Sequence, residues 1–320
     1  MKIGLFLALF SDRPLEEALD AALAAGCETV EIMSGPWSPH CRPAELLEDP
    51  AARERFAALV AERGLAISAL SCHANPLHPD AAVAAEADEA YRDTVRLATE
   101  LVVDTVVTFS GCPGESEHSL RPSWVTCSWP DDFPETLAWQ WDERVLPYWA
   151  EAAPFAERHG IRVAIEPHPG FVVYNTASML RLRESAGENV GVNFDPSHLF
   201  WQGMDPLACV HALGDAIFHV HAKDTAFQQE VLALNGVLEP IPGNRPAERS
   251  WIFRSVGAGH PVEFWRALVD ALGAADYDGA LSIEHEDPLL SHADGLELAV
   301  TTLRAALAEE EAPGGSANAG

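Results

Sequence analysis

Four stretches of the sequence place a carboxylate or an imidazole where an apolar, strand-like run ends. Glu166 follows "RVAI", Asp195 follows "VGVNF", His221 lies near the end of "IFHVHA", and Glu284 follows "ALSI". Three carboxylates cannot share one site without compensation, because like charges raise one another's pKa. A divalent cation would remove that conflict. The oxygen-rich set favours Mn²⁺ or Mg²⁺, with Co²⁺ and Zn²⁺ as alternatives.

The elements that must position these residues are eight strand-like runs, which alternate with amphipathic, helix-like stretches. In chain order the runs are "KIGLFLAL", "TVEIM", "AISAL", "DTVVTFS", "RVAIE", "VGVNFD", "IFHVHA" and "ALSIEHE". Eight β/α units in a chain of 320 residues predict the α/β class and a (β/α)8 TIM barrel. The carboxyl ends of barrel strands converge, so we expect Glu166, Asp195, His221 and Glu284 to lie around one axis.

A doubly wound open sheet is the competing architecture. It would more often show a glycine-rich phosphate loop after the first strand, and "LALFSDRP" is not such a loop. We predict a single barrel over residues 1–310, with long loops after the fourth strand (residues 111–136) and the seventh strand (residues 225–260). Both loops fall on the face where barrel enzymes carry their sites. The small, polar tail at 311–320 is predicted to be disordered.

The composition excludes several classes of partner. A formal charge of −29, from 49 acidic and 20 basic residues, disfavours nucleic acid and anionic membrane surfaces. No apolar run reaches the length of a membrane span, and the apolar start "MKIGLFLALF" meets a charged segment without a cleavage site. The six cysteines form no C-x-x-C pair. This usage is typical of a reduced protein, so we predict a cytoplasmic location.

Each candidate ligand also has an ordinary structural explanation when it is considered alone. An acid at a strand end often caps a helix or forms a salt bridge, and a lone histidine is often a satisfied structural residue. The functional prediction depends on four such residues at the same end of four successive strands.

The motifs "IEPHPG", "NFDPSH", "HVHAKD" and "SIEHED" resemble those of the xylose-isomerase-like superfamily, often called sugar phosphate isomerases/epimerases. The resemblance extends from "KIGLF" to "LRAAL". It implies that Glu166, Asp195, His221 and Glu284 are ligands of one divalent metal, with Mn²⁺ expected first. It also implies that His198, three residues after Asp195, contacts the substrate.

The resemblance implies a sugar isomerase or epimerase. A metal that chelates a carbonyl and the adjacent hydroxyl stabilises the enediolate formed when the carbon between them loses a proton. By resemblance to the epimerases, Glu166 and Glu284 form the acid/base pair. His198 and Lys223 would orient substrate oxygens, although Lys223 has an alternative reading as a salt bridge to Asp224 or another nearby acid.

Five further residues are candidates around the same site. His168, between two prolines, is expected to act as an additional proton carrier, or else to form a hydrogen bond to a metal ligand. His73, after the third strand, and Glu31, at the end of the second, are predicted to bind substrate. Trp129 and Arg254 are predicted to reach the substrate from the two long loops. The alternative for the loop tryptophans is anchoring of loops or a subunit interface.

Three competing functions can be stated. A DNA-repair endonuclease of this fold carries a histidine at the end of strand four and a D-x-H after the strand-seven histidine, whereas this chain has "TFSGC" and "HAKDTAF". The barrel subunits of C-glycoside deglycosidases also resemble this chain, which would then be a 3-keto-glycoside lyase that expels the anomeric group after the same C–H abstraction. A non-catalytic sugar-binding barrel is the third reading.

The expected partner is accordingly a small-molecule carbohydrate or glycoside. The few basic loop residues favour a neutral sugar. Deglycosidases use a second, smaller subunit, and exposed loop aromatics are also typical of self-association. We therefore carry a homo-oligomer and a smaller partner subunit as the two assembly hypotheses.

Overall fold

The computed structural model describes residues 1–308, and the predicted tail at 311–320 lies outside this range. Ten strands are present in the described residues: β1 Lys2–Phe6, β2 Thr29–Met33, β3 Ala66–Cys72, β4 Thr105–Thr108, β5 Arg162–Ile165, β6 Val190–Phe194, β7 Ile217–Ala222, β8 Asp224–Phe227, β9 Trp251–Arg254 and β10 Ala280–Ile283. The α-helices of the same range are α1 Leu15–Ala25, α2 Pro43–Glu48, α3 Pro50–Ala61, α4 Ala81–Glu100, α5 Asp132–Trp139, α6 Leu146–Arg158, α7 Thr176–Ala186, α8 Pro196–Trp201, α9 Pro206–Leu213, α10 Gln229–Asn235, α11 Val262–Ala274 and α12 His292–Leu307.

Eight of these strands close into a barrel in the order β1-β10-β7-β6-β5-β4-β3-β2. Each neighbouring pair in the barrel is parallel, and closure is made by β1 against β10, where Leu5 lies opposite Ile283. The predicted (β/α)8 TIM barrel is therefore confirmed, and β10 is its eighth strand. None of the helices in residues 1–308 combines the length and the apolar character needed to span a membrane.

Burial on both faces explains why these segments form strands rather than helices. All residues of β4 and β6 are buried, as is typical of parallel strands covered by helices. The covering helices bury one stripe each, and α11 turns Trp265, Leu268 and Leu272 inward at helical spacing. Gly26 ends α1 with a φ of 86°, a conformation that a side chain would disfavour.

The two long connections differ in structure. After β4, residues 109–131 contain no helix or strand. After β7, β8 and β9 form an antiparallel ribbon in which Asp224 lies opposite Arg254, and α10 lies between the two strands. Trp201 of α8 stacks on Trp251 of β9 with ring centroids 4.5 Å apart, so these two tryptophans fasten the ribbon to the barrel.

Candidate metal centre and active site

The alternation of side chains along the strands brings the candidate residues together. Residues two apart on a strand share one face. The inward-facing series that meet near the top of the barrel are Asn193 and Asp195 at the end of β6, His219, His221 and Lys223 along β7, and Ser282, Glu284 and Glu286 along β10. Glu31 of β2 and Glu166 after β5 complete this interior layer. Each series extends one or more residues past the regular strand, toward the carboxyl-terminal mouth of the barrel.

Four of these residues form one compact cluster. Ligand atoms of Glu166, Asp195, His221 and Glu284 all lie within 4.8 Å of one another. His221 Nδ1 is 3.3 Å from Glu166 Oε2 and 3.0 Å from Glu284 Oε2. The structure therefore brings together the four residues that the strand-end pattern selected.

The donor atoms of this cluster fit a divalent cation. Asp195 Oδ2 and His221 Nδ1 are both buried and make no hydrogen bond of good geometry, although Lys223 and Glu284 lie within ion-pair distance of them. Burial works to raise the pKa of Glu166 and Glu284, yet both pKa values lie well below the ordinary range. At Glu166 the charge of His221 and hydrogen bonds from His198 and His73 outweigh burial. At Glu284 the charges of Lys223 and His221 outweigh it. Burial works to lower the pKa of His221, but the carboxylates of Glu31, Glu284 and Glu166 outweigh it and hold this pKa well above its ordinary range. The site thus stabilises positive charge at its centre.

Asp195 also caps a helix, so the structural and functional explanations both apply to it. Its Oδ1 accepts from the backbone N–H of Ser197 at 2.8 Å at the start of α8. That bond fixes the side chain and leaves Oδ2 directed at the cluster, 3.1 Å from Lys223 Nζ. One oxygen positions the carboxylate and the other faces the site.

Lys223 is fully buried and pairs with acids of the site. Its Nζ lies 2.8 Å from Glu284 Oε2, 3.1 Å from Asp195 Oδ2 and 3.1 Å from Glu286 Oε2. Burial lowers the pKa of Lys223, but these carboxylates raise it well above the ordinary value. Of the two predicted readings, substrate contact or an ion pair, the ion pair is present, and Asp224 is not its partner.

Glu31 does not occupy the position predicted for a substrate-binding residue. Its side chain is completely buried, and His221 Nε2 donates to its Oε1 and Oε2 at 3.0 and 2.9 Å. Ser71 Oγ donates to Oε1, and Ser282 Oγ donates to Oε2 at 2.7 Å. Burial raises the pKa of Glu31, but His221 and His219 outweigh this and hold it at about 2. Both oxygens are therefore occupied, and no surface is left for a substrate hydroxyl.

His198, His168 and His73 lie around Glu166. His198 is buried, and its Nε2 is 3.2 Å from both Glu166 Oε1 and Asp195 Oδ2. His168 packs on His198 with ring centroids 4.1 Å apart, and its Nδ1 donates to Pro169 O at 2.7 Å. His73 Nε2 is 3.4 Å from Glu166 Oε2. Burial, reinforced by the charge of His198, lowers the pKa of His168 to about 3.

Arg254 and Trp129 are placed differently from the predictions. Arg254 Nε donates to Asp287 Oδ2 at 2.9 Å, which ties β9 to the segment after β10. Its neighbour Phe253 faces the site instead, with its ring 5.3 Å from that of His198 and 4.6 Å from Lys223 Nζ. The side chain of Trp129 is 77% exposed to solvent. The structure therefore shows Arg254 in an ion pair and Trp129 on the surface of its loop.

Sequence reasoning missed an aromatic wall and a supporting polar residue. The wall comprises Phe6, Phe109, Phe171 and Phe253, which contact the imidazoles of the site. Asn193 Nδ2 donates to Glu166 Oε2 at 2.9 Å, and its Oδ1 accepts from His219 Nδ1 at 2.9 Å. The two-residue alternation Asn193–Asp195 and His219–His221 was a usable signal. No signal in the sequence indicated the position of Phe253, because that position depends on the β8–β9 ribbon.

The protein is a closed parallel barrel with buried carboxylates and an imidazole at the carboxyl ends of its strands. It therefore belongs to the class of α/β barrels with a polar centre that attracts cations, on the face where such folds carry their active sites. The family follows from comparison with known proteins. The chain belongs to the xylose isomerase-like TIM barrel family, whose model matches residues 19–306. The predicted resemblance is thereby confirmed.

Two relatives differ in how much of the chain they match. The uncharacterized protein YfiH of Bacillus subtilis (strain 168) is 34% identical over 318 residues, which cover 97% of this chain and all of that protein. An inosose dehydratase of Lacticaseibacillus casei is 29% identical over 160 residues, or 49% of this chain and 51% of that protein. The chain therefore matches about half the length of this dehydratase.

Solved structures share the fold at low sequence identity. The probable 3-DHS dehydratase AsbF from Bacillus anthracis has a TM-score of 0.67 at 18% identity, covering 95% of this chain and 99% of that one. An L-ribulose 3-epimerase has a TM-score of 0.64 at 18% identity, covering 98% and 99%. An IolI protein with a bound zinc atom has a TM-score of 0.65 at 17% identity, covering 96% and 98%. These likenesses establish the barrel.

Proposed function

We propose that the protein is a divalent-metal-dependent sugar isomerase or epimerase, which moves a proton at the carbon beside a carbonyl of a small polyhydroxy substrate. The observation that carries this proposal is the buried cluster of Glu166, Asp195, His221 and Glu284, whose ligand atoms all lie within 4.8 Å of one another. An inosose dehydratase and an L-ribulose 3-epimerase among the similar proteins support an enzyme of this kind. We expect one ion per chain, with Mn²⁺ first and Mg²⁺, Co²⁺ or Zn²⁺ as alternatives.

The cluster residues would hold the cation, and Glu166 and Glu284 would also exchange protons with the substrate. When bound, a divalent cation supplies Lewis-acid stabilisation of negative charge on the substrate oxygens. Glu166 and Glu284 come from strands β5 and β10, which are separated in the barrel by β6 and β7. They can therefore approach a substrate from different sides, as inversion at one carbon requires. The depressed pKa of both groups keeps a carboxylate available to accept the proton.

The remaining groups would bind and orient the substrate. Lys223 and His198 border the cluster and present N–H donors to oxygens near the cation. The rings of Phe109, Phe171 and Phe253 provide an apolar surface on which the C–H face of a sugar can pack. Net charge and the acidic cluster favour a neutral substrate over a phosphorylated one.

Elimination is the second candidate, and His168 is the observation that favours it. Its Nδ1–H is donated to Pro169 O, so Nε2 is an unprotonated acceptor beside Glu166, which could take up the C–H proton and then pass it to the leaving oxygen. In this reaction a base removes the C–H proton, a carbon–carbon double bond forms, and the β-oxygen leaves with a proton. The leaving group would be water, as the match to an inosose dehydratase supports, or the aglycone of a 3-keto-glycoside.

Product analysis distinguishes the two reactions. Purified protein repleted with Mn²⁺ is incubated with neutral ketoses, inososes and 3-keto-glycosides in D₂O, and the products are read by mass spectrometry. Isomerisation or epimerisation gives a product that keeps all the heavy atoms of the substrate and has one deuterium in place of a hydrogen, whereas elimination loses water or releases an aglycone. Glu166→Gln and Glu284→Gln should each abolish turnover. Glu135→Gln, an exposed acid at the start of α5, is the matched control. A protein that binds no divalent ion refutes the proposal.

A further inference from the structure

The completely buried Glu31 contacts His221 on the side opposite the cluster. His221 Nε2 lies 3.0 and 2.9 Å from the two oxygens of Glu31, while its Nδ1 lies 3.0 Å from Glu284 Oε2. Ser71 and Ser282 each donate a hydroxyl hydrogen bond to Glu31. The carboxylate is thus held from three sides, and it has no route to solvent or to a substrate.

These contacts keep a proton on Nε2 of His221. An ionised carboxylate is an acceptor only, so its hydrogen bonds with His221 require the proton on Nε2. An imidazole ligand binds a cation through its unprotonated nitrogen, and the partner of the other nitrogen decides which one that is. With Nε2–H donated to Glu31, Nδ1 is the nitrogen that faces Glu166 and Glu284, and it is the one that would release its proton to bind a cation. The ring is also fixed in rotation, because Phe6 stacks on it with centroids 5.5 Å apart.

We propose that Glu31 is a positioning residue, which fixes the tautomer and orientation of His221 so that Nδ1 is presented to the cation of the proposed function. Asn193 has a parallel but separate role toward Glu166. Its amide is oriented by His219 Nδ1 and donates to Glu166 Oε2. Glu31 acts on the imidazole ligand and Asn193 acts on a carboxylate ligand, so their substitutions should have different signatures.

The first test measures cation affinity without substrate. Mn²⁺ is titrated into the metal-free full-length protein, and free Mn²⁺ is followed by electron paramagnetic resonance. Glu31→Gln should raise the Kd about 10- to 100-fold, the range typical of losing an outer partner of a metal ligand. Glu286→Gln is the matched control, because Glu286 also adds a negative charge near the cluster through Lys223 but does not touch His221. Its half-exposed carboxylate should change the Kd by at most about fivefold.

The second test detects the tautomer itself. In ¹⁵N-histidine-labelled protein loaded with diamagnetic Zn²⁺, the buried Nε2–H of His221 should give a slowly exchanging signal. Glu31→Gln should abolish or broaden that signal. Asn193→Ala should weaken cation binding but leave the signal unchanged, because Asn193 contacts Glu166 and not His221. If Glu31 had only a structural role, Glu31→Gln and Asn193→Ala would have the same effect on the Nε2–H signal.

The outcomes distinguish this inference from the proposed function. Wild-type protein that binds no divalent ion refutes both. Wild-type protein that binds Mn²⁺, with Glu31→Gln matching it in Kd and in the Nε2–H signal, overturns the positioning role alone. If Glu31→Gln does not fold, Ser282→Ala decides, since it removes one donor to Glu31 and keeps the His221 contact. A smaller rise in Kd supports the role, and an unchanged Kd overturns it.

Discussion

Replacing Lys223 by methionine removes an ammonium that lies within 3.1 Å of Asp195, Glu284 and Glu286. Methionine preserves the length and apolar packing of the side chain against Phe253. The substitution leaves buried carboxylates without their cation, which costs about 3–5 kcal/mol when one partner of a buried ion pair is lost. At about 2 °C per kcal/mol for a large domain, the midpoint of thermal unfolding should fall by ~6–10 °C.

The assay is differential scanning calorimetry at neutral pH in the presence of a chelator. The folded pKa of Lys223 is raised, so its stabilising contribution is complete below its unfolded pKa of about 10.4 and is lost only as pH rises beyond that value. Neutral pH therefore measures the whole effect. Added Mn²⁺ should stabilise Lys223→Met more than the wild type, because the cation then supplies the missing positive charge.

The control variant is Glu286→Gln, which breaks a contact of the same ammonium at a carboxylate that is 51% exposed. It should cost less than about 1 kcal/mol, because a half-exposed ion pair is weak. A midpoint for Lys223→Met within about 1 °C of the wild type in chelator would refute the reasoning. It would mean that the carboxylates are neutralised by protons and not by Lys223.

Three further predictions concern the cation, the pH dependence and the ribbon. Asp195→Asn alters a proposed direct ligand, so it should weaken Mn²⁺ binding by more than the loss of an outer partner does, which is about 10- to 100-fold. Calorimetric titration measures this affinity. Asp205→Asn, at an equivalent Asp–Pro helix cap, should leave the affinity unchanged. Burial and His198 hold the pKa of His168 near 3, so His168 stays neutral from about pH 5 to 8. His168→Gln should then lower kcat/KM without altering the shape of its pH profile, and a lost inflection near pH 6.5 would contradict this. Buried Asp224 accepts three backbone N–H bonds from the loop after β9, so Asp224→Ala should cost about 3 kcal/mol or more in urea unfolding. Asp215→Ala, which removes a 92% exposed carboxylate, should cost less than about 0.5 kcal/mol, and equal losses would exclude the loop contact as the cause.

Local patterns in the sequence were sufficient to predict the barrel and the residues that form the cluster. Side chains alternate with a period of two along a strand, so an acid directly after "RVAI" or "ALSI" must lie near the barrel axis once the strands are parallel. The convergence of Glu166, Asp195, His221 and Glu284 follows from that rule and the eightfold repeat. The same rule explains why Asn193 and His219, two residues earlier on their strands, lie beneath the cluster.

Contacts between distant segments decided what local patterns could not. Glu31 and Ser282 are 251 residues apart, and Lys223 and Glu284 are 61 apart, so no spacing in the sequence reports these pairings. The tertiary structure made Glu31 a buried partner of His221 rather than a substrate contact. It also turned Phe253 toward the site and tied Arg254 to Asp287, through a ribbon inserted between two barrel strands. By itself, then, the sequence determined the barrel and the residues at its mouth, because strand periodicity is local. The sequence did not determine which partner each side chain contacts, and the chemistry of the side chain depends on that partner. Those contacts form only when the barrel closes and brings opposite strands within hydrogen-bond distance.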